Sequence, residues 1–191
     1  MIRKLPILPT LIVLVAVGIM IRLGFWQIER LHQKEAMLAR YAAAESQTAV
    51  RRWPEGSAEL PQSYSRVASE CLSVSQIAAQ AGQNAAHEAG WAQVAECTLA
   101  QGIRARIVLG WSTQPGAVAW YGGPVTGTFV ARDGGAPIIV ADPPLAGLQG
   151  NAKPDPATVP NNHLAYAVQW FLFAGVALVI YGLAVRKRMQ G

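Results

Sequence analysis

Cysteine occurs only twice in 191 residues, as Cys71 and Cys97, and never as Cys-x-x-Cys. No histidine or methionine stands beside either thiol in the chain, which speaks against a copper site built on them. A nucleophile elbow, a pair of catalytic carboxylates and a phosphate loop are all missing, although glycine pairs occur at Gly122-Gly123 and Gly134-Gly135. The chain is therefore expected not to be an enzyme. Excess basic charge is missing from its middle. Arg3, Lys4, Arg22, Arg186, Lys187 and Arg188 lie in or beside two apolar runs, and the remaining ten basic residues face all eleven acidic ones. The net charge of +5 is thus topological, and no basic stripe is present to hold nucleic acid. Tandem repeats are absent as well.

Two long apolar runs are what the chain does have. The first extends from Leu5 to Leu23, interrupted only by Pro6, Pro9, Thr10 and Arg22, and Gly24, Phe25 and Trp26 continue it. It reaches the roughly 20 residues that cross a bilayer. Bulky and charged residues follow it where a signal peptide would place small ones, so an uncleaved anchor is expected. The first span is assigned to residues 5–28, with a helical extension over 29–45. The second run, Leu164 to Val185, has no ionisable side chain besides Tyr166 and Tyr181 and ends in Arg-Lys-Arg; its span is assigned to 163–185. Basic residues outside both runs predict two cytoplasmic termini and a translocated middle. With no Arg/Ser-rich presequence, a bacterial inner (plasma) membrane is the expected setting.

The middle, residues 46–160, reads as a periplasmic domain. A connecting segment over 46–63 has little periodicity. Partly alternating stretches predict strands over 65–74, 92–99, 104–111, 125–131 and 137–141, with a turn at Asp133-Gly134-Gly135. The Ala- and Gln-rich stretch 76–89 suits either a short helix or a long hairpin. Residues 142–160 carry five prolines and lead back to the membrane. The expected fold class is an α+β membrane protein, two transmembrane helices flanking a mainly antiparallel β periplasmic domain. Cys71 and Cys97 occupy equivalent places in two similar strands, which suits a cross-strand bridge in an oxidising compartment. Two buried, unlinked thiols are the alternative.

The polar groups with chemical potential cluster at the membrane borders. Asn162 is a good N-cap residue for the second span. His163, Tyr166, Ala167 and Trp170 follow at i, i+3, i+4 and i+7 and share one helix face. On the first helix, Trp26, Arg30 and Lys34 recur every four residues, and Gln27 joins Arg30 and Lys34 at i, i+3 and i+7. An iron porphyrin takes an imidazole, flat apolar walls and cations for its propionates. His163 can supply the first, Tyr166 and Trp170 the second, Arg30 and Lys34 the third. Lipid explains the same residues: cations outside a bilayer pair with phosphates, and Trp26 anchors among headgroups. His32 lies in the helical extension of the first span, and His87 in the Ala- and Gln-rich stretch, where it is expected to be solvated.

Gly24-Phe25-Trp26-Gln27-Ile28-Glu29-Arg30, with Lys34 four residues on, resembles the first-span signature of the Surfeit locus protein 1 family. Asn162-His163-Leu164-x-Tyr166-Ala167-x-Gln169-Trp170-Phe171 is similar to its second-span signature. Gly110-Trp111 falls where the family has an Asn-Arg-Gly-Trp strand end, with Val108 and Leu109 replacing the polar pair. The resemblance implies a non-enzymatic assembly factor for haem-copper cytochrome c oxidase that binds haem a transiently, and it implies His163 as the iron ligand. The implied partners are the oxidase core subunit and membrane lipid, with haem a synthase a further candidate and nucleic acid excluded. A scaffold that docks oxidase subunits without touching haem is the second reading, favoured by the lack of a second obvious axial ligand. The cysteine pair is not a feature of the family pattern.

Overall fold

The computed structural model describes residues 6–54 and 59–190. Arg3 and Lys4, and the termini Met1 and Gly191 on which the topology expectation bears, lie outside the described residues. The chain divides into two compact units. One is the chain up to Met37 together with Val159 onward, and the other is Leu38–Thr158.

The first unit is made of two helices, α1 (Ile7–Glu45, whose last turns belong to the second unit) and α2 (His163–Gln190). Both are long and apolar enough to cross a membrane, and at 1.5 Å per residue α2 alone is about 42 Å long. Most of their large apolar side chains are exposed, the condition expected of helices solvated by lipid. α2 continues to Gln190, beyond the expected boundary at 185. Its first turn is closed by the Tyr166 N–H donating to the Asn162 carbonyl at 3.3 Å. No hydrogen bond to the Asn162 side chain forms among the described residues, so the cap expected there is a backbone one.

The second unit is built on seven strands: β1 (Arg51–Arg52), β2 (Arg66–Cys71), β3 (Ser73–Gln83), β4 (Ala89–Thr98), β5 (Arg104–Ser112), β6 (Gly123–Val130) and β7 (Ile138–Ala141). They form one sheet in the order β1-β2-β6-β7-β5-β4-β3. The sheet is mixed but mainly antiparallel: four of its six strand pairs are antiparallel, while β1 runs parallel to β2 and β5 parallel to β7. β7 slots between β5 and β6, antiparallel to β6 and parallel to β5. The Ala- and Gln-rich stretch is strand β3 and its hairpin. Ten residues of β3 pair with β4, and that cross-strand pairing overrides the helix propensity of alanine and glutamine.

The expected strand 65–74 is split at Leu72. Before it the chain pairs with β6, and after it with β4, far along the sheet order. A single residue thus carries the chain between distant parts of the sheet, which curls so that the Leu72 N–H donates to the Thr98 carbonyl at 2.9 Å. The bond between Cys71 and Cys97 sits at this closure, with their Cα atoms 5.6 Å apart. It joins β2 to β4, which are not neighbouring strands.

Alternate residues point into the core, where Val67, Ile107, Leu109, Val125, Phe129 and Ile139 are fully buried. Trp53 lies edge-on to Phe129 with ring centroids 5.2 Å apart. Gly127 is required where β7 passes, because a Cβ there would lie 2.1 Å from the Val140 carbonyl oxygen. Tyr41, near the end of α1, packs on the buried Tyr64 at 4.9 Å. Burial pushes the Tyr64 phenol above its ordinary range, and Tyr41, Asp155 and Glu45 add to the rise.

Arg66 on β2 grips Asp142, just after β7, through both its carboxylate (2.8 Å) and its carbonyl (3.0 Å). The hydrogen bond from Arg66 holds the Asp142 carboxyl below its ordinary range, outweighing partial burial, with Lys153 assisting. A lowered carboxylate contributes stability that is complete above the ordinary range and disappears as pH falls through the folded-state value. Because the Asp142 side chain is 41% exposed, solvent screening keeps the contribution under about 1 kcal/mol. Arg66→Ala is therefore expected to lower the denaturation midpoint slightly at neutral pH, and to match wild type once Asp142 is protonated. A gap between the two that persists unchanged into strong acid would assign the loss to packing instead.

Candidate functional site

The two spans meet along a seam with seven-residue spacing, Thr10, Val17 and Gly24 on α1 and Ala167, Ala174 and Tyr181 on α2. Val17, Gly24, Ala167 and Ala174 are buried. A repeat of seven keeps one stripe of each helix facing its partner, and small residues let the backbones approach. The Thr10 and Tyr181 hydroxyls are hydrogen-bonded to each other near one end. Toward the other end, the Phe171 ring lies on Gly24, where a Cβ would come within 2.6 Å of it. Phe171 also meets Phe25 edge-on at 5.4 Å.

One turn past Gly24 the seam ends in a polar contact. The His163 Nδ1 lies 2.7 Å from the Gln27 side-chain oxygen. An amide oxygen only accepts, so Nδ1 is the donor in this contact, and Nε2 takes no part in it. Metal-bound histidines are commonly held in this way, one ring nitrogen fixed by an acceptor and the other ligating. The Asn161 side-chain oxygen close by is buried with no hydrogen-bond partner.

Helical geometry places the remaining residues around this pair. Arg30 and Lys34 lie one and two turns beyond Gln27 on α1, while Tyr166 and Trp170 lie one and two turns beyond His163 on α2. Because the helices are antiparallel, these pairs extend in opposite directions along the axis. Phe25 and Phe171 meet on one flank of the pair, and the phases of Arg30 and Tyr166, each 60° from its seam contact, turn them toward the other. Trp170 is half-buried, with its ring edge-on to Phe173 at 6.3 Å, and Tyr166 is 53% exposed. Arg30 donates to the Gln33 side chain at 2.8 Å. Lys34 is half-buried.

Trp26 is not brought to His163. It is 50% exposed and lines a groove on the flank of α1 with Gly18, Arg22, Phe25 and Glu29. Cys71 and Cys97 belong to the second unit. Two contacts that hold the site were missed in the sequence, Phe171 on Gly24 and Thr10 with Tyr181. A glycine in one span opposite an aromatic in the other was the available signal. Among the described residues no cluster of three or more His, Cys, Asp or Glu is placed to hold a metal ion.

The profile of the SURF1 family matches the chain in two overlapping stretches, residues 14–134 and 72–175. They take in both border motifs and the whole sheet. Neither a curated protein nor a solved structure matches the chain. The first span from residue 14, the intervening β domain, the second span as far as residue 175 and the Gln27–His163 contact thus fall within the matched region: the chain belongs to the SURF1 family, which is known for cytochrome oxidase assembly and not for catalysis.

Proposed function

We propose that this protein is an assembly factor for haem-copper cytochrome c oxidase that holds haem a at a membrane border and assists its delivery to the core subunit. The observation that carries the proposal is the imidazole of His163 with Nδ1 held 2.7 Å from the Gln27 side-chain oxygen, an arrangement in which Nε2 is the nitrogen available to iron. The surrounding donors fit a porphyrin: Tyr166 and Trp170 offer aromatic area on the apolar side, and Arg30 and Lys34 offer cations on the polar side. When bound, haem supplies an iron centre that accepts a nitrogen ligand. Gln27 orients the imidazole, the Gly24–Phe171 packing sets the spacing of the helices, and the two cations position acidic groups near water. A single imidazole and open flanks suit a carrier that must also release. Haem a synthase is the candidate donor, and the oxidase core subunit the recipient.

Protein co-produced with haem a synthesis is expected to purify with a haem absorption spectrum. A colourless preparation from cells that make haem a and assemble oxidase would favour the scaffold reading. One observation supports that reading on its own terms: Trp26 lines an outward groove with Arg22 and Glu29, a surface that can meet a subunit of the oxidase without any haem.

The proposed setting is a bacterial inner membrane, with both termini cytoplasmic and residues 46–160 periplasmic, from the basic residues that flank both runs. A reporter active only in the periplasm should be silent when fused after Gly191. Activity there would overturn the topology.

A further inference from the structure

The two edges of the sheet are built differently. β1, at one edge, is two residues long, and both are exposed arginines. Shortness and charge blunt an edge against the addition of another strand. β3, at the opposite edge, runs for eleven residues, Ser73 to Gln83, without a charge or a proline. An edge strand directs part of its amide and carbonyl groups away from its single neighbour. The return segment covers only the far end of β3, where the Ala152 N–H donates to the Gln83 carbonyl at 2.9 Å and Asn84 bridges to Asn151. A register shift at Ser75 disturbs the near end. From Gln76 to Gly82 the ladder to β4 is regular, and among the described residues no other strand pairs with the outer side of β3.

The side chains along this run indicate what covers it. The exposed residues of β3 are serine, alanine and glutamine only. They offer a foreign peptide no charge and no large apolar group to read. They oppose nothing in a second copy of themselves. When two β3 strands run antiparallel about a two-fold axis at Ala78, Gln76 faces Gln80 of the other copy, Ser75 faces Ala81, and no like charges meet. Such an arrangement is isologous and closes after two copies. We propose that two copies of this chain associate through β3, antiparallel about Ala78, so that their sheets continue across the interface. The association uses none of the residues assigned to haem, so it stands or falls separately from that reading.

The test uses the full-length protein. In lipid nanodiscs loaded over a range of protein concentrations, wild type should have the mass of two protomers. Ala78→Cys should form an intermolecular disulfide on mild oxidation in membranes. Gln83→Cys, at an exposed position, should not, because the two-fold separates the two copies of that position by ten residues, about 34 Å. Ala78→Lys sets like charges against each other at the axis and should leave a single-protomer mass, with the Cys71–Cys97 bond and the circular dichroism of the β domain retained. Mixing Ala78→Lys with Ala78→Glu should restore the pair. A single-protomer mass for wild type with no cross-link from Ala78→Cys would overturn the proposal. So would cross-linking of equal extent at positions 78 and 83, or an Ala78→Lys protein that remains paired.

Discussion

Replacing His163 with alanine is expected to remove the haem absorption band while leaving membrane insertion intact. The substitution deletes one imidazole at the start of α2, and the apolar remainder of that helix still satisfies its own backbone in lipid. Gln27 acts one bond further out. Gln27→Leu leaves the ligand in place but frees the ring to change tautomer and turn, so haem affinity should fall about 10- to 100-fold, the usual cost of losing an orienting partner of a metal ligand. Trp170→Ala should lie between Gln27→Leu and wild type, since it removes apolar wall and no bond to iron. Arg30→Ala should do least, because a contact near water is screened and the guanidinium already has Gln33 as a partner. Titration of apoprotein with haem, read by absorbance, gives the order. Equal haem binding by wild type and His163→Ala would show that this histidine is not the ligand. A scaffold that never meets haem would show no band in any of the four variants.

The second large effect is expected from the Cys71–Cys97 bond. Replacing both cysteines with alanine should lower the stability of the β domain by about 3 kcal/mol, from the chain entropy that a crosslink spanning 26 residues removes from the unfolded state. The native fold should persist. The Leu72 N–H still reaches the Thr98 carbonyl, and the buried side chains around Phe129 remain. Denaturant unfolding of the full chain in detergent, followed by the fluorescence of the core tryptophans, measures the loss. An unchanged midpoint would mean that strand pairing alone already holds the closure. Non-reducing mass analysis of wild type should show two hydrogens fewer than the reduced chain.

Parts of this architecture were legible residue by residue. A run of apolar side chains long enough for a bilayer needs no tertiary partner to be recognised, so both spans could be read directly. The strands around Ile107, Phe129 and Ile139 could also be read, because alternation reports which face of a strand is buried. Border residues such as His163 and Gln27 were legible as members of two separate motifs.

Strand order was not legible. That β7 enters between β5 and β6, and lies parallel to β5, depends on which gap in the sheet is one strand wide, and alternation is the same in either direction. The break at Leu72 was hidden for a similar reason: the chain stays extended there and changes only its partner. β1 is two arginines with no pattern at all. The bond between Gln27 and His163 joins residues 136 apart in the chain, and each is an ordinary polar residue until the seam from Thr10 to Gly24 sets the two helices in register. Local sequence determined what would be helix, most of what would be strand, and which side of each would be apolar. Only the tertiary structure decided which strands are neighbours and which nitrogen of His163 meets Gln27, because both depend on groups brought together from distant parts of the chain.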